Sequence, residues 1–325
     1  DITAAAEEAL DGETDIAAVE ENAADGLALV RLEDKVSEND QQAFVEQLQN
    51  QDGVIAVEKN REVHACEVSA AALTADTYSD YQYALESVRA FEAWEMLDLN
   101  TTTPITVAVV DTGIDYTHPD LAGKVLEGKN FVDYNSNGQK YSSANYIDDN
   151  GHGSHVAGII AATTGNNMGI SGVTGNLDIQ LLPAKVLDDD GNGTTYSVVN
   201  GIKYAVDNGA DIINMSLGSQ YASSLEEAAV TYAESNGVLC VAAAGNESTD
   251  VKYSYPANYD TVLSVASVDK NDERSYFSNF GSSLDVSAPG SAILSTIPES
   301  TAASFKAKGY TVYGNSSEGY YAVLS

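Results

Sequence analysis

Residues 107–115 read VAVVDTGID, an apolar segment that runs directly into an aspartate and then reaches a glycine. A continuous apolar run of this kind is typical of a strand that is buried on both faces of a parallel sheet. Gly113 favours a turn immediately after the strand. The carboxylate of Asp111 is therefore expected at the end of a buried strand, where a hydrogen-bonding partner must offset its lost hydration.

Strand-like and helix-like segments alternate further along the chain. This alternation predicts an α/β fold, in which a mainly parallel sheet has helices on both of its faces. Functional groups in such sheets gather at the carboxyl ends of the strands. The predicted strands are 106–110, 179–186, 212–215, 238–244 and 262–268, and the predicted helices are 155–163, 196–208 and 225–236.

The first 79 residues differ in character from the rest. The initial segment is rich in Ala, Glu and Asp, which favours a poorly ordered arm or a weak helix. After it, strands are predicted at 27–32 and 54–58, around a helix from Ser37 to about residue 51. The predicted divisions are an acidic arm at 1–26, a small α+β unit at 27–66, a linker with a processing site at 67–79, and one large domain at 80–325.

The composition excludes several classes of partner. The 325 residues contain 49 acidic and 15 basic side chains, and this net charge of −34 would repel nucleic acids and anionic membranes. No apolar run is long enough to cross a bilayer, so membrane insertion is not expected. Cys240 lies in an apolar run, which predicts a buried free thiol, with a bridge to Cys66 as the alternative. The chain begins at Asp1, and we expect that a signal peptide was removed or left out.

A second group of polar residues surrounds His152, in the segment DDNGHGSHVAG at 148–158. A histidine between two glycines at a helix start lies close to backbone with one face open, although a lone histidine is more often a structural hydrogen-bonding residue. His152 and His155 have a spacing that suits two zinc ligands on one helix face, but no third ligand is evident. The triplet at 111–113 alone also suits an aspartic protease, which requires two such loops.

A third group is AAAGNE at 242–247, in which a strand of small residues leads to Asn246. The amide of this residue either donates to a developing oxyanion or belongs to an ordinary turn. Together the three groups resemble the motifs of the subtilisin-like serine proteases, in the order found in that family. The segments 214–218 and 287–290 match as well. The unit at 27–66 resembles the family's inhibitory propeptide, a small ferredoxin-like fold.

The resemblance implies a secreted serine endopeptidase with a subtilisin-like α/β domain, located outside the cell or at its surface. Its partners would be peptide or protein substrates and its own propeptide, acting as an inhibitor. Asp111 would orient His152, which would serve as general base and then as acid, and Asn246 would donate to the oxyanion. Two backbone segments would hold an extended substrate, and one residue would lie near the floor of the pocket for the side chain before the scissile bond. These positions are Gly191, Asn192, Gly193, Ser216, Leu217 and Gly218, with Ser254 at the pocket.

Calcium is the one cofactor that the resemblance implies. Asp120 and Asn166 match side-chain ligands of the family, and Met168 and Ile170 match positions that supply backbone carbonyls. Oxygen ligands of this kind suit calcium. The acidic loop at 188–193 also starts like an EF-hand loop, but Val199 stands where the final glutamate is required.

The family's nucleophilic serine lies in a Gly-Thr-Ser-Met-Ala segment, which does not occur in these 325 residues. Ser325 matches the residue that often precedes that segment. We therefore expect the nucleophile three positions beyond it, and we expect the 325 residues alone to be inactive. The alternative hypothesis is a non-catalytic protein with the same fold, either a pseudoenzyme or a peptide-binding module.

Overall fold

The computed structural model describes residues 16–22, 27–32, 36–51, 54, 57, 76–96 and 103–325. The chain forms two compact units, which divide between Cys66 and Glu67. Each unit has a hydrophobic cluster of its own among the described residues.

The described part of the first unit contains an antiparallel pair of strands and one helix. Strand β1, Ile16–Asn22, pairs with β2, Leu27–Leu32, and helix α1 spans Glu38–Gln49. Phe44 and Leu48 are four residues apart on one face of α1, where both are buried. They pack against Val30, Leu32 and Val57.

Two of the predictions for this unit are confirmed and one is wrong. Strand β2 and helix α1 lie where the patterns placed them. The prediction of a poorly ordered arm or weak helix is wrong for 16–22. This segment has only weak hydrophobic alternation, but it forms a strand because its backbone pairs with β2. The strand predicted at 54–58 lies mostly outside the described residues. The ferredoxin-like arrangement stays a prediction.

In the described part of the second unit, a parallel sheet of seven strands forms the centre. The seven strands are β3 Ile105–Asp111, β4 Lys129–Asn130, β5 Ile179–Lys185, β6 Ile212–Met215, β7 Leu239–Ala243, β8 Val262–Val268 and β9 Val286–Pro289. Their order in the sheet is β4–β5–β3–β6–β7–β8–β9, and every neighbouring pair is parallel. The strands at 212–215 and 262–268 have the predicted bounds.

Helices cover both faces of this sheet, as predicted. Alternate residues of a strand point to opposite faces, and β3 divides its apolar side chains accordingly. Val107 and Val109 pack with Val156 of the helix at 152–161, whereas Val110 packs on the other side with Ile202. The helices of this unit are α2 Tyr83–Ser87, α3 Ala90–Met96, α4 His152–Ala161, α5 Thr195–Asp207, α6 Ser224–Ser235 and α7 Glu299–Ala307.

A second, antiparallel sheet packs against α4. It has the order β10–β12–β11, with β10 at Ile293–Ile297, β11 at Val312–Asn315 and β12 at Gly319–Leu324. The sequence patterns did not predict these strands. Thr296 of β10 donates its hydroxyl to the backbone carbonyl of Ser154 at 2.7 Å, so this sheet supports the helix that carries His152.

The prediction of a linker at 67–79 is wrong for the last residues of this range. Asp76 is buried, and its carboxylate accepts hydrogen bonds from Gly165 N at 2.9 Å and from Ser171 Oγ at 2.6 Å. Tyr78 N donates to Gly169 O at 2.8 Å. The large domain thus begins by residue 76 rather than 80, because a polar side chain there bonds to the domain instead of to water.

Cys240 is buried and free, as predicted, and Cys66 lies outside the described residues. Burial raises the pKa of the Cys240 thiol to about 12. None of the helices within the described residues has the length and apolar character that a membrane span requires.

Candidate active site

Asp111 ends strand β3 with its side chain fully buried. Its Oδ1 accepts a hydrogen bond from the backbone N–H of Thr112 at 2.7 Å. The same oxygen lies 2.8 Å from Nδ1 of His152, and Oδ2 lies 3.0 Å from that nitrogen. The partner that a buried carboxylate requires is therefore the histidine of the second motif.

The loop before α4 is held by a carboxylate that the sequence analysis did not assign. Asp148 Oδ1 accepts from the hydroxyl of Thr112 and from Gly151 N, both at 2.9 Å. Its Oδ2 accepts from Ser154 N at 2.8 Å. Because Thr112 and Ser154 flank the two catalytic candidates in sequence, Asp148 fixes one motif relative to the other.

The glycine that follows His152 is required by the close approach of the two motifs. A Cβ atom on Gly153 would overlap the backbone oxygen of Gly113. Its backbone N–H instead donates to the hydroxyl of Thr112 at 2.9 Å. The small residues in GHGSHVAG thus allow the helix start to reach the end of β3.

The two ring nitrogens of His152 differ, because Nδ1 contacts Asp111 and Nε2 has no partner within the described residues. The negative charge of Asp111 raises the pKa of His152 to about 9, against the opposing effect of desolvation. The side chain is 44% exposed, and within the described residues Nε2 has no hydrogen-bond partner. The imidazole can therefore hold a proton on Nδ1 and present Nε2 to a bound molecule.

His155 has a structural role. Its Nε2 lies 3.1 Å from the carbonyl oxygens of Ile293 and Ala322, inside the protein. Desolvation lowers the pKa of His155 to about 4, with a further contribution from the neighbouring His152. The described residues contain no cluster of three His, Cys, Asp or Glu side chains that could hold a metal.

His152 borders a groove with a volume of about 730 Å³. Six of the seven predicted substrate positions line the same groove, which brings the two backbone segments together beside the histidine. The six are Gly191, Asn192, Gly193, Ser216, Leu217 and Gly218. Ser254 does not line this groove, because its side chain is buried and its Oγ accepts from Asn279 Nδ2 at 2.8 Å.

Asn246 follows strand β7 at the same edge of the sheet. Strands β3, β6 and β7 are parallel neighbours, with Val109 level with Asn214 and Asn214 level with Val241. Asn246 is exposed, and its side-chain amide has no hydrogen-bond partner within the described residues. Asn279, which the sequence analysis missed, positions the loop by donating to Ala244 O at 2.9 Å and accepting from Glu247 N at 3.1 Å.

The four residues predicted as a calcium site come together. The carboxylate of Asp120 is buried and accepts from Asn166 Nδ2 at 2.8 Å and from Ile170 N at 3.1 Å. Asn166 Oδ1 accepts from Met168 N at 2.8 Å. Burial raises the pKa of Asp120 to about 6, and the negative charge of Asp76 contributes.

Asp76 is the member of this cluster that sequence reasoning missed. Its Oδ1 is buried and has no hydrogen-bond partner within the described residues. A bound cation would offset the cost of burying such an unpaired carboxylate oxygen. Its sequence context of small polar residues indicated a linker. Only the contact with Gly165 and Ser171 places it beside Asp120.

The parallel α/β sheet carries a hydrogen-bonded aspartate and histidine at its carboxyl edge, which are two of the three groups of an Asp-His-Ser hydrolase. This fold also excludes the aspartic-protease hypothesis, since those enzymes are rich in β-structure. The chain belongs to the Subtilase family, whose family model matches residues 102–322. Membership of this family supports serine endopeptidase chemistry.

Several known proteins are similar to this chain. Thermitase of Thermoactinomyces vulgaris is 45% identical over 227 residues, which cover 70% of this chain and 76% of that protein. Halolysin of Haloferax mediterranei is 36% identical over 285 residues, 87% of this chain and 52% of that protein. The crystal structure of a cold-adapted subtilisin-like serine proteinase matches with a TM-score of 0.54 at 32% identity, covering 68% of this chain and 69% of that one.

Proposed function

We propose that this chain is part of a secreted serine endopeptidase precursor in which Asp111 and His152 activate a serine nucleophile. The observation that carries this proposal is the paired contact of His152 Nδ1 with both carboxylate oxygens of Asp111, at 2.8 and 3.0 Å, beside an open groove. In a triad of this kind, the aspartate fixes the tautomer and stabilises the imidazolium that forms.

The proton transfers follow from this geometry. In the neutral form of His152, with its proton held on Nδ1 by Asp111, Nε2 has a lone pair that accepts the proton of the attacking serine hydroxyl. The resulting imidazolium returns this proton to the leaving amine. In this proposal the nucleophile is a serine outside the 325 residues, in the Gly-Thr-Ser segment that the family resemblance places after Ser325. The 325 residues alone would therefore be inactive.

The groove would position the substrate, and Asn246 would stabilise the transition state. An extended peptide between 191–193 and 216–218 would pair with their backbone groups as an added strand. The unpartnered amide of Asn246 lies at the same sheet edge, where it would donate to the oxyanion. Loss of such a donor costs about 10²–10³ in kcat, a magnitude taken from subtilisin, a member of this family.

Calcium would stabilise the domain at the cluster around Asp120. The candidate ligands are the carboxylates of Asp76 and Asp120, the side chain of Asn166 and the backbone carbonyls of Met168 and Ile170. Supporting this, Asp76 Oδ1 is buried without a hydrogen-bond partner among the described residues. Bound calcium would supply the positive charge that these two buried carboxylates lack.

The first unit would serve as an inhibitory propeptide, and the protein would act outside the cell or at its surface. The supporting observation for a propeptide is a separate compact unit that ends at Cys66. The acidic surface, with a net charge of −34, suits an extracellular protein rather than one that binds nucleic acid.

One experiment separates this function from the non-catalytic alternative. The natural protein, in its full length, is treated with a fluorophosphonate that labels activated serines, and peptide hydrolysis is measured in parallel. We expect labelling in a segment that follows Ser325, and His152→Ala should reduce both labelling and kcat by about 10⁴-fold or more. A protein that folds normally but neither reacts nor hydrolyses peptides would instead be the pseudoenzyme or binding module.

A further inference from the structure

Glu226 is a buried carboxylate that opens onto the same groove as His152. It lies in the first turn of helix α6 and is only 7% exposed. The residues on either side of it, Leu225 and Glu227, are both exposed, so the usual polarity of a helix is inverted at this point. A buried acidic side chain in a groove requires a physical explanation.

Helix capping does not explain it. The sequence Ser223-x-x-Glu226 has the form of a capping box, in which the glutamate would accept from the backbone N–H of Ser223. In the structure, that N–H donates to the hydroxyl oxygen of Tyr259 at 2.9 Å. Ser223 performs its half of the motif, accepting from Glu226 N at 3.4 Å. The carboxylate of Glu226 is therefore not used by the helix.

A neighbouring positive charge does not explain it either. Oε2 of Glu226 accepts from the hydroxyl of Tyr259 at 3.2 Å, and that hydroxyl also lies 3.0 Å from the carbonyl oxygen of Ser223. No ion pair formed within the described residues includes Glu226, and no lysine or arginine lines the groove. Desolvation raises the pKa of Glu226, as expected for a carboxylate without a counter-ion.

The walls of the groove suit a long aliphatic side chain that ends in a cation. Val198 and Leu217 line the groove together with Glu226, and both belong to the surrounding apolar cluster. The stems of lysine and arginine contact apolar surface in this way while their charged ends reach a polar partner. The other carboxylate in the lining, Asp190, is exposed at the rim.

We propose that Glu226 determines substrate specificity by selecting a peptide with lysine or arginine at one position, whose cation pairs with the carboxylate in the groove. This inference rests on the proposed endopeptidase function, because it assumes that the groove beside His152 holds the substrate. An extended peptide places alternate side chains on the same face. One side chain at a fixed distance from the scissile bond therefore reaches Glu226.

The test uses octapeptide substrates in which a single position is lysine or norleucine, and that position is moved stepwise along the peptide. Norleucine keeps the aliphatic stem and removes only the charge. The measurement is kcat/KM for the full-length natural protein. At one position we expect lysine to exceed norleucine by on the order of tenfold to a hundredfold, as for other buried charge pairs.

Three variants assign the effect to Glu226. Glu226→Gln should reduce the lysine preference to about onefold while retaining cleavage of the norleucine peptide. Glu227→Gln, one residue along the helix but exposed, should leave the preference unchanged, and Asp190→Asn at the rim should change it less than threefold. If Glu226→Gln does not fold, a wild-type ratio below about two at every position still refutes the assignment, and so does a preference that Asp190→Asn removes.

The outcomes are distinguishable. Cleavage of the peptides with a lysine-to-norleucine ratio below about two at every position would overturn the assignment and leave the endopeptidase function intact. A lysine preference that persists in a folded Glu226→Gln variant would also overturn it. If the natural protein cleaves none of the peptides, the proposed function itself fails, and this inference fails with it.

Discussion

The substitution Asp111→Asn should remove the charge that raises the pKa of His152. This pKa can be measured whether or not the protein is active. The charge of Asp111 raises the pKa of His152 to about 9, from a usual 6.5. That difference corresponds to about 3 kcal/mol if fully expressed. Because the side chain is 44% exposed, solvent screening reduces the contribution to stability to roughly 1–2 kcal/mol.

The assay is an NMR titration of the histidine C–H resonances in the 325-residue chain. Burial lowers the pKa of His118, and burial lowers that of His155 to about 4. Among the histidines in the described residues, His152 alone should therefore titrate on the alkaline side. In Asp111→Asn its midpoint should move from about 9 towards 6.5.

The same pair makes stability depend on pH. Since the pKa of His152 is raised in the folded state, its stabilisation is fully present below about 6.5 and is lost as the pH rises through about 9. Urea unfolding of the wild type should show this loss, and Asp111→Asn should not. A wild-type midpoint for His152 near 6.5, or one that Asp111→Asn leaves unchanged, would refute the reasoning.

Two further predictions concern stability. His155→Leu should lower the free energy of unfolding by roughly 2–4 kcal/mol, measured in urea, because two buried carbonyls lose their partner. The acid-side loss of stability between about pH 6.5 and 4 should also diminish, since the lowered pKa of His155 stabilises the fold only above that range. Calcium at a hundred times its Kd should add about 2.7 kcal/mol to the free energy of unfolding. Asp120→Asn should abolish this gain, whereas Asp80→Asn, at an exposed position, should retain it. An equal gain in both variants would contradict the calcium site.

Five of the seven strands of the central sheet were predictable because each carries its own signal, whereas the short strands β4 and β9 were not predicted. The segments at 212–215 and 262–268 are short apolar runs between helix-like patterns, and the structure has strands with these bounds. The pairing of Asp111 with His152 was predicted from the resemblance of their motifs to the subtilisin-like family, and the two side chains are in contact in the structure. Local pattern and tertiary position agree at these points.

Other elements depend on contacts that a sequence pattern does not contain. Strand β1 has an acidic sequence and forms because β2 supplies its hydrogen bonds. Asp76 lies in a polar segment whose partners are about ninety residues away along the chain. At the start of α6 the chain buries Glu226 and exposes Leu225, an inversion that tertiary structure imposes and hydrophobic periodicity would not predict.

The support of α4 by β10 and β12 also sets the timing of assembly during synthesis. His155 contacts carbonyls that lie 138 and 167 residues later in the chain. At roughly 5–20 residues per second, these strands leave the ribosome about 7 to 33 seconds after the helix. Contacts of such separation also close slowly. The helix that carries His152 therefore gains its last support late in synthesis.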